Sequence, residues 1–163
     1  MTEQQESPHQ VQLEGPSQLP FCLLLLRLGV AVVMAFWTAD KFLNPDHAGA
    51  VFSNFYGLEG LGNPTFLLIG GVQAVIVLAF TIGLFRTFSY AAILLMHTVS
   101  TLSSWRQYAE PFDNLLFLAA WPMLAACITL FVLRQQDEYT LDAKSKRRSS
   151  KIKMRKIITY SSR

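Results

Sequence analysis

Apolar residues in this chain gather into four blocks, over residues 21–42, 65–85, 88–104 and 115–133, separated by short polar stretches. A bilayer core about 30 Å thick takes about 20 helical residues to cross, and each block meets or approaches that length. Backbone groups in lipid must find their hydrogen bonds within their own segment, so blocks of this kind form helices. The pattern predicts an all-α fold, an integral membrane four-helix bundle over 21–133. A polar N-terminal tail covers 1–20 and a basic tail covers 134–163.

Composition narrows the reading to one domain. Of 163 residues 52% are hydrophobic, and the tails leave no apolar material for a second core. Residues 1–20 carry Glu3, Glu6 and Glu14 and no Lys or Arg, the reverse of a basic signal-peptide start, which predicts a retained first helix. Cys22 and Cys127 fall inside apolar blocks without a C-x-x-C spacing, and read as small packing residues.

Charge sets the orientation. With a cytoplasmic N-terminus the inner side holds Arg86, Arg134 and the C-terminal cations, with Arg27 close by, while the outer side keeps Lys41 and Arg106. The excess of Lys and Arg on cytoplasmic loops therefore predicts both termini inside a multi-pass inner (plasma) membrane protein. From Lys144 onward come nine cations and no acid. Each is worth about 1 kcal/mol near an anionic leaflet, so the tail reads as a contact for anionic lipid or as a topology signal. With one aromatic, Tyr160, and no fold to present it, the tail is a poor nucleic-acid binder, and no nucleic-acid partner is expected.

The chemistry lies in residues that an apolar helix does not explain. Arg27 sits about 10 Å into the first block at 1.5 Å rise per residue, and snorkelling to headgroups is its simplest account. Asp40 and Lys41 end that block, and Gln73 lies in the second among Gly70, Gly71 and Gly83. In the third block His97, Ser100, Thr101 and Ser104 recur at i, i+3, i+4 and i+7, one polar stripe. Ser and Thr can bond back to their own helix; a mid-membrane His has no such escape and belongs in the bundle interior. Pro122 predicts a kink in the fourth block. On the inferred topology, Asp40, Lys41, Gln73, His97, Ser100, Thr101, Asp113 and Asn114 all fall in the outer half. They suggest an outward-facing polar vestibule walled by Trp37, Trp105 and Trp121, or a hydrogen-bond network that only cements the bundle. Lys41, Gln73, His97, Thr101, Trp37 and Trp105 are the candidate ligand contacts. No catalytic residue can be named.

Other chemistries have little support. His97 is the one membrane-embedded His, so haem and metal sites are not expected. No nucleotide or nucleophile motif occurs. The apolar inner half, broken by Arg27 and Thr81, argues against an open conduction path.

Arg27-Leu28-Gly29, the run from Trp37 to Pro45 (WTADKFLNP) and Gly83-Leu84-Phe85-Arg86-Thr87 together resemble the DoxX-like family over residues 20–133. The resemblance implies a four-helix membrane bundle. It also implies either a subunit serving quinone or thiol/sulfur redox enzymes or an assembly helper. Under the first reading a quinone or small reductant binds in the vestibule, with His97 and Lys41 as hydrogen-bond partners and Trp37 and Trp105 along the ring. No covalently bound cofactor is expected, and a redox partner protein is required because this chain offers no electron-carrying ligands. Under the second the protein is a non-enzymatic scaffold or assembly factor without a ligand site.

Overall fold

The computed structural model describes residues 18–150, and among them every regular element is helical. The acidic N-terminal tail up to Ser17, and the cations Lys151, Lys153, Arg155, Lys156 and Arg163, lie outside the described residues. Three helical stretches are long and apolar enough to cross a bilayer: Leu19–Leu43, Asn63–Ile82 and Leu115–Val132. Their side chains form an apolar exterior, with Val32, Phe36, Leu68, Val75 and Leu116 all exposed. An apolar surface of that extent is suited to lipid rather than water, so this is a membrane protein with transmembrane helices.

Turn chemistry places the boundaries. Helix α1 (Leu19–Leu43) has Pro20 in its first turn, where the missing N–H costs nothing. It stops at Asn44, and Pro45 opens a second helix, α2 (Pro45–Tyr56), within the stretch that separates the first two apolar blocks. Gly57, with a left-handed φ of 66°, ends α2. Helix α3 (Asn63–Ile82) closes in a Schellman arrangement, with Leu84 N–H donating to Ala79 O at 2.8 Å and Gly83 left-handed at φ 68°. Then come α4 (Arg86–Ser103), the short α5 (Trp105–Ala109), a 3-10 stretch (Leu115–Ala119) and α6 (Ala120–Val132). The fourth apolar block is thus a 3-10 lead running into α6. Pro122 lies in the first turn of α6, where it removes no needed bond.

Helices α1 and α3 pack together, as do α4 and α6, and α3 with α4 and α1 with α6 complete the set. Leu23, Val30, Met34, Phe80, Ile93 and Leu130 form the shared core, with Cys127 among them. Of the neighbouring glycines, Gly70 is the one at a helix contact: a Cβ there would sit 3.0 Å from the Phe42 ring, while at Gly71 it would meet nothing within 4 Å. At this end of the bundle α2 ties the elements together through aromatic contacts. Phe52 meets Phe66 at 5.4 Å between ring centroids, and Phe55 stacks on Phe117 at 5.7 Å.

The opposite end is closed by a segment read as the start of the tail. After α6 the chain turns back, and a helix covers 141–150. Asp137 and Thr140 are buried there. The fold-back lies so close to the α3–α4 turn that a Cβ on Gly83 would collide with Thr140. Asp142 caps α4 from outside, its carboxylate accepting from Phe85 N–H at 3.3 Å and Arg86 N–H at 2.9 Å.

Candidate functional site

A groove of about 1020 Å³ runs along α1, walled opposite by α4 and by the Leu115–Ala119 stretch with α6. It follows α1 from Cys22 to Trp37, about 22 Å at 1.5 Å rise per residue. Leu26, Val30, Val33, Met123 and Ala126 make most of it apolar, whereas His97, Ser100 and Ser104 give its Trp37 end a polar character. Gly29 lies in the α1 wall, and a Cβ there would meet nothing within 4 Å.

His97 anchors the polar end. It is 1% exposed, and its ring lies 5.9 Å from that of Trp37 between centroids. Nε2 is 3.0 Å from the Ala120 carbonyl oxygen. A carbonyl only accepts, so Nε2 carries the proton and donates; the tautomer is assigned from this bond. Thr101 Oγ1 donates to the His97 carbonyl at 2.8 Å and stands 3.4 Å from Nε2. That leaves Nδ1 buried with no hydrogen-bond partner among the described residues.

Of the six candidate contacts, Trp37 and His97 line the groove and Thr101 touches His97 from behind. The other three are elsewhere. Lys41 donates to the Trp37 carbonyl at 3.0 Å and lies 5.9 Å over the Phe52 ring. Gln73 is buried on α3, away from the groove. Trp105 is 63% exposed, with the Arg106 guanidinium 5.5 Å over its ring. Asp40 is occupied by His47 Nδ1 at 2.8 Å and Asn44 Nδ2 at 3.3 Å. The rest of the α4 stripe is largely self-satisfied, with Ser104 donating to the Ser100 carbonyl at 3.1 Å.

A second polar constellation, not anticipated from the sequence, occupies the fold-back end. Arg27 is 1% exposed rather than snorkelling. Its guanidinium donates to Asp137 Oδ2 at 3.0 Å, Tyr90 Oη at 3.0 Å and the Tyr139 carbonyl at 2.7 Å. Tyr90 in turn donates to the same Asp137 oxygen at 2.7 Å. Arg86 donates to the Arg134 and Asp137 carbonyls at 2.8 and 3.0 Å. Asp137 is 0% exposed. A charge withdrawn from water needs such a partner, so an arginine deep in an apolar block was itself the signal to look for a carboxylate. Asp137, eleven tens of residues away at a separation of 110, could not be singled out without the fold.

Comparison with protein-family models, with curated proteins and with solved structures finds no match to this chain.

Proposed function

We propose that the protein is a four-span bundle, with α4 as the fourth membrane crossing, that holds a lipid-soluble small molecule of the quinone class in the α1–α4–α6 groove. It acts as an auxiliary subunit to a membrane redox enzyme, in keeping with the resemblance to the DoxX-like family. The observation carrying this reading is the polarity of the groove: a polar head site at Trp37, His97 and Ser100 continues into an apolar channel long enough for a hydrocarbon tail. Small-molecule sites of this kind are mostly apolar with a few placed polar groups. A ligand of the quinone–hydroquinone class fits these residues as a ring against Trp37 and a head group at the polar end; when bound it would supply electron-transfer chemistry, and this chain's residues hold and orient it. Lys41, Gln73 and Trp105, set apart from the groove, have no part in the binding.

On this reading the protein belongs to the inner membrane with both termini cytoplasmic, and the positive charge from Lys144 onward favours contact with anionic lipid. The alternative, a scaffold or assembly factor without a ligand, is favoured by the self-satisfied hydroxyls of α4 and the buried Arg27–Asp137 pair, which need no ligand to explain them.

Gly29→Leu separates the two. Its side chain projects into open groove space, and it replaces a glycine by a better helix former, worth up to about 1 kcal/mol within a helix. Binding of a short-chain quinone to the purified protein should fall at least tenfold while thermal stability holds or rises. Unchanged quinone binding, or no binding of either the quinone or its reduced form in the unaltered protein, rules out the groove as the site.

A further inference from the structure

His97, which lines the groove, carries one ring nitrogen whose hydrogen-bonding sense is fixed by the surrounding fold. With Nε2 committed as donor to Ala120 O at 3.0 Å, the neutral imidazole has Nδ1 left as a bare acceptor. That atom is buried and unpartnered. An unmet acceptor in an apolar site costs free energy, and a donor that reaches it recovers that cost. A ketone oxygen cannot, because it too only accepts. The Ser100 hydroxyl one turn along also lines the groove, but it can donate or accept and therefore does not discriminate.

We infer that the groove selects the hydroxylated, reduced form of its ligand: a lipid-soluble hydroquinone or related phenol whose hydroxyl donates to His97 Nδ1 and whose ring lies against Trp37. This rests on the groove reading proposed above and adds the sense of the recognition bond. Trp37, 40% exposed and packed on the imidazole, is the side chain that yields to admit the head. A site built to pair with a donor rejects an analogue lacking it more strongly than an apolar wall rejects a change of shape. Trp37 supplies a flat aromatic surface, and offset ring stacking favours an aromatic head over an aliphatic alcohol.

The test is calorimetric titration of the whole purified protein, under argon and in one detergent, with three ligands sharing a decyl tail: a hydroquinone, its quinone, and its dimethyl ether. The quinone removes the donors without added bulk, and the ether removes them while keeping the ring aromatic. The hydroquinone should bind at least tenfold tighter than either. In His97→Gln, whose amide both donates and accepts, the preference should shrink to within threefold. His97→Phe should lose the preference altogether; if that variant does not fold, the three-ligand comparison on the unaltered protein decides alone. Equal binding of all three, abolished by Gly29→Leu, overturns the donor-selective site and leaves the groove standing. Binding of none of them, or binding that Gly29→Leu leaves intact, overturns both.

Discussion

At the scale of single residues, Arg27 and Asp137 carry the largest stakes. Both are withdrawn from water and their charges meet at 3.0 Å. Removing one member leaves an uncompensated buried charge, at a cost of about 3–5 kcal/mol, whereas replacing both by apolar residues of similar size is often close to neutral. Arg27→Met and Asp137→Leu should each lower the thermal midpoint of the detergent-solubilised protein markedly, and the double variant should recover most of the loss. Simple addition of the two losses would show that the residues do not act as a pair. Tyr90 completes the cluster by donating to the Asp137 carboxylate and accepting from Arg27, so Tyr90→Phe should weaken it by about 1.5–3 kcal/mol, the range for hydrogen bonds to charged groups.

At the scale of elements, two segments outside the spanning helices shape the molecule. Helix α2 connects α1 to α3 and reaches the groove wall through Phe55 and Phe117. The 134–142 fold-back joins α1, α4 and the α3–α4 turn, and so fixes where the 141–150 helix leaves the bundle. That helix carries Lys144, Lys146, Arg147 and Arg148, and Arg147 pairs with Glu138. A peptide of residues 143–163 contains all nine cations from Lys144 onward. It should bind vesicles containing anionic lipid and release as salt rises, since exposed charges are screened within about 10 Å at 0.1 M. Equal affinity for neutral vesicles would rule out an electrostatic anchor.

At the scale of the whole molecule, the Lys and Arg distribution predicts an orientation with both termini cytoplasmic. The α2 end carries Lys41 and Arg106, and the fold-back end gathers Arg27, Arg86, Arg134 and the basic helix. Single cysteines at Asn54 and Ser149, both exposed, in a background lacking Cys22 and Cys127, report this directly. An impermeant thiol reagent on intact cells should label Asn54→Cys and spare Ser149→Cys. The reverse pattern would invert the topology and place the basic helix outside.

The sequence by itself determined the class of molecule. Runs of apolar residues near bilayer length leave the backbone one way to satisfy itself, and proline and glycine at residues 20, 45, 57, 64 and 83 punctuate the helices locally. It also singled out His97, because an imidazole among apolar neighbours has to be satisfied through the fold. Tertiary structure decided which groups meet. Lys41 and Trp37 are four residues apart on one helix, yet the Lys41 ammonium turns to the Trp37 carbonyl and Phe52 while the Trp37 ring goes to His97. Arg27 found its carboxylate, Asp137, in a stretch that composition alone assigned to the basic tail. Hydropathy reports whether a segment prefers lipid or water. It carries no information on pairing across 110 residues, which depends on how the chain turns back after α6 and on the close approach that glycine at position 83 permits.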